Sequence, residues 1–437
     1  MFSKILIANR GEIAVRVIRA CKEMGIATVA IYSQEDVSSI HTAFADESIC
    51  VGGRQASDSY LNQRNIISAA LVTGAEAIHP GYGFLSENPQ FADLCQRYGV
   101  TFIGPTSEVI SMLGDKDAAR TLMAAAGVPC VPGSSLVESV EEARAEAGRI
   151  GFPLLIKARA GGGGKGIRLV ERDEEVEQAY MTAKAEAKAN FEDDGVYLEK
   201  YLTHVKHIEI QIMADEFGNV ISLGERDCSI QRNRQKILEE TPSLAVDEDL
   251  RTRMGDAAIL AARTAGYTGI GTVEFLVDGD RNFYFMEMNT RLQVEHPITE
   301  MVTDIDVVKW QIRIAAGVPL AMKQEDIAFN GCSIECRINA LASGPIKFLH
   351  LPGGHRVRFD TALYQGYVFP PYYDALMGKL IVHAHTREEA VRKMKAALCE
   401  IVIDVPNNIE EQIAILEDPA FLDGTYDTRF VDRFDRE

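Results

Sequence analysis

The chain has 437 residues, of which 46% are apolar, and a net charge of −19. This length predicts roughly two to four domains, and the acidic excess argues against a nucleic acid partner, because neutralising phosphates requires a basic face. No apolar run is long enough to predict a membrane span. The amino terminus runs directly into a strand-and-helix pattern rather than a signal peptide, which predicts a cytoplasmic protein or a chain that lacks its targeting segment.

The first 112 residues alternate between predicted strands and helices. The stretch "KILIAN" is a strand, the next helix ends at Gly25, and "ATVAIYS" is the second strand. Such alternation predicts a parallel α/β layer. The single glycine in "NRGEIA" favours a plain βα turn, and "HPGYGFLSEN" either borders a ligand or forms a structural turn.

The eight cysteines are scattered along the chain. No pair has zinc-site spacing that a second pair supports. We therefore predict buried free thiols and a reducing compartment.

Four consecutive glycines stand in "LLIKARAGGGGKGIRLV", residues 154–170. A P-loop is excluded, because Arg159 occupies the position of its first glycine, and the residues after the glycines alternate as in a strand. The unit is therefore strand, glycine loop and strand. It is either a loose surface hairpin or a flap whose N–H groups close over phosphate oxygens, with Lys157 and Lys165 supplying positive charge.

The glycine loop lies within a small α+β module of the size of a lid, at residues 132–203. A helical link at residues 113–131 precedes this module. From residue 204 to 437 the pattern predicts hairpins, a helix at 250–266, a β-rich region to about 385 and a helix at 387–400.

The segment "GTVEFLVDGDRNFYFMEMN", residues 271–289, has two alternating runs around a turn. If Asp278 and Phe283 close a four-residue loop, Glu274 faces Glu287, and Asn289 lies on the same face. Opposed like charges destabilise a sheet, so either one carboxylate is protonated or a cation lies between them. Mg²⁺ suits these oxygen ligands; the alternative is a solvated face with lysines nearby.

Arg291, Gln293 and Glu295 follow directly in "RLQVE" and share one face if this segment is extended. A guanidinium can grip a planar anion with its fork of donors. A carboxylate two residues away can then remove a proton from that anion. The alternative is a surface ion pair.

Several of these stretches together resemble biotin carboxylase, the ATP-grasp subunit of biotin-dependent carboxylases. The matching stretches are "ILIANRGEIAVRVIRA", "HPGYGFLSEN", "KARAGGGGKGIRLV", "EKYL", "HIEIQI", "ERDCSIQ", "EMNTRLQVEHPITE" and "PPYYDALMGKLI", and the resemblance extends from residue 1 to about 415. It implies an α/β ATP-grasp fold with a Rossmann-like N-terminal domain at 1–112, a glycine-flap lid at 132–203 and a C-terminal domain at 204–437.

The resemblance also implies ATP- and bicarbonate-dependent carboxylation of biotin through carboxyphosphate. Glu295 would deprotonate bicarbonate, and Arg337 would stabilise the ureido oxygen of biotin. Bicarbonate and biotin would contact Lys236, Arg291, Gln293, Val294 and Arg337, and Mg²⁺ or Mn²⁺ would bind Glu274, Glu287 and Asn289. ATP would contact Lys116, Lys157, Gly163, Gly164, Glu199, Lys200, Tyr201, Leu202, His207, Gln231, Arg234 and Leu276.

The sequence departs from the family pattern at four places. "QRNRQK" replaces the usual "QRRHQK" or "QRRNQK", with Asn233 and Arg234 at the altered positions, and Arg159 stands where a small residue is usual. The loop in "RINALASGPIKFLHLPGG" is shorter than in the family, and Asn407 replaces a threonine. These departures predict a divergent member with altered nucleotide contacts and carrier docking.

No biotin-carrying domain is predicted, since "LAMKQED" has only a fragment of the carrier motif and no carrier-sized domain surrounds it. We therefore expect biotin to be a substrate and no cofactor to be attached covalently to this chain. The implied partners are a separate biotin carboxyl carrier protein, carboxyltransferase subunits and a second copy of the chain in a homodimer. The alternatives are another ATP-grasp ligase with an acyl phosphate intermediate and an ATP-binding regulatory paralogue without turnover.

Overall fold

A computed structural model describes residues 1–158, 167–191 and 195–434. The chain divides into two compact units. The first comprises Met1–Val128, Lys206–Phe275 and Glu287–Glu437, and the second comprises Pro129–Val205 and Leu276–Met286. Across the described ranges, no helix combines the length and the apolar character that crossing a membrane requires.

The first unit begins with a parallel five-stranded sheet in the order β3-β2-β1-β4-β5. Its strands are β1 (Lys4–Ile7), β2 (Ala27–Ser33), β3 (Glu47–Gly52), β4 (Ala77–His79) and β5 (Thr101–Phe102). The helices are α1 (Gly11–Glu23), α2 (Ile40–Phe44), α3 (Gln63–Thr73), α4 (Pro89–Arg97), α5 (Ser107–Gly114) and α6 (Lys116–Ala125). The predicted parallel α/β layer is confirmed, because apolar strands buried on both faces suit a sheet covered by helices.

The second unit has a four-stranded sheet in the order β6-β9-β7-β8, whose pairs are antiparallel. Its elements are β6 (Gly133–Val137), α7 (Val140–Ile150), β7 (Leu154–Ala158), β8 (Ile167–Val170), α8 (Val176–Phe191) and β9 (Val196–Lys200). The strands predicted on both sides of the glycine loop are confirmed as β7 and β8. The loop itself, with Gly163 and Gly164, lies outside the described residues.

The rest of the chain supplies the strands β10 to β21 and the helices α9 to α14. The strands are β10 (Lys206–Ala214), β11 (Val220–Arg232), β12 (Gln235–Thr241), β13 (Gly269–Val277), β14 (Phe283–Asn289), β15 (Cys332–Asn339), β16 (Gly344–Pro345), β17 (Leu349–His350), β18 (Val357–Thr361), β19 (Val368–Phe369), β20 (Leu376–Ala384) and β21 (Val402–Ile403). The helices are α9 (Glu248–Ala265), α10 (His296–Thr303), α11 (Val307–Ala315), α12 (Arg387–Glu400), α13 (Ile409–Glu417) and α14 (Pro419–Leu422). Short 3-10 helices span Gln34–Asp36, Ala56–Asp58, Asp173–Glu175, Gln324–Asp326 and Phe430–Arg433.

An eight-stranded sheet dominates this part of the chain, in the order β14-β13-β10-β11-β12-β15-β20-β18. On β15 the apolar residues Ile334, Cys336 and Ile338 belong to a core cluster that includes Met394 of α12. Because successive side chains of a strand point to opposite faces, the polar residues between them face away from this core. The sheet therefore presents one apolar and one polar face at β15.

The turn between β13 and β14 differs from the predicted four-residue loop. The N–H of Asp278 donates to the carbonyl of Asn282 at 3.0 Å, so these two residues close the turn rather than Asp278 and Phe283. The Asp278 carboxylate also accepts from the N–H groups of Asp280 and Asn282. An aspartate that bonds the backbone after it favours such a tight turn.

None of the eight cysteines, all of which lie in the described ranges, forms a disulfide, as predicted. Four of them, Cys21, Cys95, Cys228 and Cys336, are buried. The prediction of burial is wrong for Cys50 and Cys399, which are exposed.

Candidate active site

A network of buried and partly buried charged and amide side chains, here called the buried network, lies in the first unit. Its members come from β10, β11, β12, β13, β14, β15 and the segment before α10, and they bond to one another: His207, Glu209, Arg226, Gln231, Lys236, Glu239, Glu274, Asn289, Arg291, Gln293, Glu295 and Arg337. Charged residues are seldom buried unless they are paired. Such a concentration of paired charges is typical of a functional site.

Lys236 lies at the centre of three carboxylates. Its Nζ donates to Glu209 Oε2 at 2.5 Å, to Glu295 Oε1 at 2.7 Å and to Glu274 Oε1 at 3.0 Å. Burial opposes its charge, but the carboxylates of Glu209, Glu274 and Glu295 raise the pKa of Lys236 well above the ordinary value. Lys236 therefore stays a cation and offers a fixed positive charge to an anion at this place.

Glu295 is fully buried and directly precedes α10. It accepts from Lys236, and its other oxygen accepts from Arg337 Nη2 at 2.8 Å. Burial disfavours its charged form, yet Lys236, Arg337 and Arg226 hold the pKa of Glu295 well below the usual range. The carboxylate is thus ionised and available as a proton acceptor.

Arg337 is held between two carboxylates. Its Nε donates to Glu239 Oε1 at 2.7 Å, while Nη2 reaches both Glu239 and Glu295. Burial opposes its charge, but Glu239 and Glu295 raise the pKa of Arg337 above its usual value. A guanidinium fixed in this way is a preorganised donor for a developing negative charge.

Arg291 and Gln293 are brought together, although not by an extended strand. Arg291 Nη1 donates to Gln293 Oε1 at 3.0 Å, and Arg291 Nε donates to Glu87 Oε2 at 2.7 Å. The predicted extended form of "RLQVE" is wrong, because Glu295 has φ −81° and ψ 10° where the chain turns into α10. Among the described residues, the buried Nε2 of Gln293 has no hydrogen-bond partner, so it is a free donor beside Arg291.

Val294 contributes its backbone. Its carbonyl accepts from Lys379 Nζ at 2.8 Å, and Lys379 is fully buried. The segment between β14 and α10 is therefore fastened to β20.

Two of the three predicted metal ligands are in contact. Asn289 Nδ2 donates to Glu274 Oε1 at 2.9 Å, whereas the Glu287 carboxylate pairs with Lys116 Nζ at 2.6 Å. Burial opposes the charged form, but Lys236 and His207 hold the pKa of Glu274 below its ordinary value. Two ionised or cation-paired carboxylates and an amide suit a hard divalent ion such as Mg²⁺, provided that the amide oxygen of Asn289 turns towards the carboxylates.

Four of the predicted ATP contacts lie in the first unit. Lys116 pairs with Glu287, and that hydrogen bond raises the pKa of Lys116. His207 bonds to Gln231 Nε2 at 2.9 Å through Nδ1, and its Nε2 lies 3.0 Å from Glu274 Oε2. Arg234 is exposed in the turn between β11 and β12, where its φ is +65°, so it lies outside the buried network.

The remaining ATP predictions fall in the second unit. Lys157 forms an ion pair with Glu199 on the neighbouring strand β9. Lys200 Nζ donates to the carbonyls of Gly151 and Phe152 at 3.2 and 2.7 Å. The partly buried residues Tyr201, Leu202 and Leu276 also belong to this unit.

Sequence reasoning missed three carboxylates that bind the predicted residues: Glu87, Glu209 and Glu239. Glu209 lies in "HIEIQI", where an acidic residue interrupts a run of isoleucines. Polar residues alternate with isoleucines there, which predicts a half-exposed strand. Only the structure shows that this strand is buried on both faces, so the pattern did not indicate Glu209. Glu87 gave no signal either, because it lies in a loop that contacts Arg291 only through the tertiary fold.

Three family descriptions match consecutive parts of the chain. They are "Biotin carboxylase, N-terminal domain" over residues 1–110, "Carbamoyl-phosphate synthase L chain, ATP binding domain" over 115–323 and "Biotin carboxylase C-terminal domain" over 335–433. Together they span nearly the whole sequence.

Two solved structures and one relative match the chain over nearly their full length. The chain is 52% identical to biotin carboxylase 1 of Bacillus subtilis, with 100% of this chain and 99% of that protein covered. It is similar to a Campylobacter jejuni biotin carboxylase complex with β,γ-ATP, at 46% identity, a TM-score of 0.91 and 99% coverage of both chains. It is also similar to the dimeric biotin carboxylase domain of Hydrogenobacter thermophilus 2-oxoglutarate carboxylase with MgADP, ADP and bicarbonate, at 50% identity, a TM-score of 0.90 and coverages of 100% and 98%. The expectation of a divergent member is wrong at these identities.

Proposed function

Because this chain belongs to the biotin carboxylase family, we propose that the buried network around Lys236, Glu295 and Arg337 is its catalytic centre. The chain is an ATP-dependent ligase that carboxylates biotin with bicarbonate. One observation carries the assignment of residues: an ionised, fully buried Glu295 lies between the two fixed cations Lys236 and Arg337. A proton acceptor placed between positive charges suits the activation of a small anion.

Bicarbonate binds next to Glu295, where Lys236 and Arg291 offset its charge. The free Nε2 of Gln293 donates to one of its oxygens, which gives this buried group the partner that it otherwise lacks among the described residues. Arg291 is held by Glu87 and Gln293, so its orientation is set before the anion arrives. A pre-oriented guanidinium is suited to a planar oxyanion.

Glu295 takes the proton of bicarbonate, and the resulting oxyanion attacks the γ-phosphorus of ATP as ADP leaves. Carboxyphosphate then releases CO₂ and phosphate. The phosphate takes the N1′ proton of biotin, and N1′ attacks CO₂ to form the new C–N bond. Arg337 stabilises the negative charge that develops on the ureido oxygen, since a guanidinium keeps its charge throughout.

The predicted ATP contacts are kept in this proposal. Lys116 and Lys157 hold the phosphates, and Glu199 to Leu202 receive the adenine. His207, Gln231 and Leu276 are further contacts of the nucleotide. Glu274, Glu287 and Asn289 would hold Mg²⁺ or Mn²⁺. A divalent ion held there would neutralise phosphate charge. Arg234 and the glycines Gly163 and Gly164 remain predicted ATP contacts.

The chain acts within a biotin-dependent carboxylase. A separate biotin carboxyl carrier protein presents biotin, carboxyltransferase subunits consume the carboxybiotin, and the chain forms a homodimer. The dimeric H. thermophilus domain supports this last point. The domain boundaries 1–112, 113–131, 132–203 and 204–437 and the cytoplasmic location stay predictions.

The test is to follow labelled bicarbonate into free biotin in the presence of ATP and magnesium. We expect label in carboxybiotin, with phosphate release that depends on bicarbonate and rises with biotin. Label that never enters biotin, while ATP still binds, would overturn this function. Chelation of the divalent ion should stop both readouts.

A further inference from the structure

Two glutamates lie opposite each other beside Arg337. Glu239 on β12 and Glu335 on β15 are paired in the antiparallel register, and both are fully buried. Opposed residues have Cβ atoms roughly 5 Å apart, and like charges at this spacing destabilise a sheet. One of the two carboxyl groups is therefore expected to be neutral.

The contacts indicate which one. Glu239 Oε1 accepts from Arg337 Nε at 2.7 Å, whereas neither oxygen of Glu335 has a hydrogen-bond partner in the described part of the chain. Burial raises the pKa of Glu335 well above its ordinary value and that of Glu239 to about 7. A buried carboxylate without a cation partner is much more costly than one bonded to a guanidinium, so the proton belongs on Glu335.

Charged and titratable groups face Glu335 from several elements: Glu239 on β12, Arg337 on β15 itself, Lys379 on β20, Glu295 before α10 and Tyr82 in the loop after β4. Lys379 does not neutralise Glu335 by direct contact. Its Nζ donates to the carbonyl of Val294 at 2.8 Å and lies 3.2 Å from Glu12 Oε1.

The two carboxylates that hold Arg337 behave differently during the reaction. Glu295 accepts the proton of bicarbonate, so it loses its charge and weakens its hold on Arg337. Glu239 is not involved in that transfer and keeps its bond to Arg337 Nε. Arg337 is therefore anchored by Glu239 at the stage when biotin must be stabilised.

We propose that Glu239 is the positioning residue that directs Arg337 towards biotin, and that the neutral acid of Glu335 opposite it allows Glu239 to keep its charge. This inference rests on the proposed function, because it assigns Arg337 to the biotin step. It adds to that function a charged positioning residue, Glu239, and a neutral acid opposite it, Glu335.

The experiment compares Glu239→Gln with Glu335→Gln, which is a matched control on the neighbouring strand with the same burial and the same chemical change. In Glu239→Gln, we expect the ratio of carboxybiotin formed to bicarbonate-dependent ATP hydrolysis to fall at least about tenfold, because a bond between charged groups is lost. The KM for biotin should rise, while bicarbonate-dependent ATP hydrolysis without biotin should fall much less. Glutamine resembles the neutral acid, so Glu335→Gln should keep this ratio. If the ratio of the unaltered chain falls at alkaline pH because Glu335 ionises, this fall should be absent from Glu335→Gln.

An equal fall in both variants would overturn the inference, since it would show a structural effect of the sheet. If the unaltered chain shows no bicarbonate-dependent ATP hydrolysis, the proposed function is refuted instead. Difference infrared spectroscopy provides a measurement that needs neither turnover nor a folded Glu239 variant. A protonated-carboxyl band that disappears in Glu335→Gln supports the inference, and a spectrum without such a difference contradicts it.

Discussion

At the scale of single residues, the candidate site holds a carboxylate that is both fully buried and ionised. Glu295 has no exposed surface, yet two cations keep it charged. Only close charged partners offset the desolvation cost of a buried charge. Lys236 and Arg337 therefore contribute both to the stability of the fold and to the chemistry of the site. Substitutions here are expected to separate these two roles.

Replacing Glu295 with Gln should suppress carboxybiotin formation by at least roughly a hundredfold, because a general base typically contributes a factor of this size or more. ATP should still bind, as measured by calorimetry. Glu225→Gln is the matched control, since Glu225 is also fully buried and is paired with Arg251 at 2.7 Å. That control should lose stability and retain turnover; retained turnover in Glu295→Gln would contradict the assignment of the base.

Replacing Glu287 with Gln should raise the KM for MgATP strongly and lower the free energy of unfolding only slightly. Its pair with Lys116 at 2.6 Å is partly exposed, and such pairs contribute only about 0–1 kcal/mol. Glu47→Gln is the control, because Glu47 forms a similar 2.6 Å pair with Lys4. Similar kinetics in both variants, with the same small loss of stability, would exclude Glu287 as a metal ligand.

At the scale of elements, the strand β11, which carries Arg226 of the buried network, packs closely against Phe329. Gly224 on this strand has φ +81°, and a Cβ there would lie 1.7 Å from the ring of Phe329. Only glycine fits this combination of left-handed backbone and close contact. Gly224 lies two residues before Arg226, which bonds to Glu209 in the network.

Replacing Gly224 with Ala should lower the free energy of unfolding by more than about 3 kcal/mol, because strain and overpacking act together. Gly218→Ala is the control, since Gly218 has φ +87° but open space around it. Chemical denaturation measures both. Equal losses in the two variants would show that the contact with Phe329 contributes nothing.

At the scale of the whole molecule, ion pairs connect parts of the first unit that are far apart in the sequence. Arg16 of α1 and Arg358 of β18 both bind Glu300 of α10, at 2.8 and 2.7 Å. Arg358 also binds Asp360 at 2.6 Å. Burial opposes the charged form of Asp360, but Arg358 lowers its pKa from 3.8 to about 2.

The stability from Asp360 is therefore fully present above pH 3.8 and is lost as the pH falls towards about 2. We expect a loss of roughly 2 kcal/mol from this group, because each unit of pKa shift corresponds to about 1.4 kcal/mol. Denaturant unfolding at several acidic pH values measures it. Asp360→Asn should make this acid limb shallower; an unchanged slope would contradict the linkage.

The predicted elements were reliable where one local pattern sufficed. The helices at 250–266 and 387–400 correspond to α9, Glu248–Ala265, and α12, Arg387–Glu400. Gly266 ends α9 with φ +61°, as expected of a glycine after a helix. The predictions of an extended "RLQVE" and of a four-residue turn after β13 are wrong. Neighbouring side chains and the start of α10 decide the conformation of these two segments.

The sequence by itself determined the alternation of elements, because strand and helix periodicity are local properties. Its short motifs carry the family resemblance, and this resemblance implied most of the residues in the network. Only the tertiary structure decided which carboxylates pair with which cations. Glu87, Glu209 and Glu239 join Arg291, Lys236 and Arg337 across long stretches of chain. Burial and contact set the charge of each group, and both depend on strands that meet only after the chain has folded.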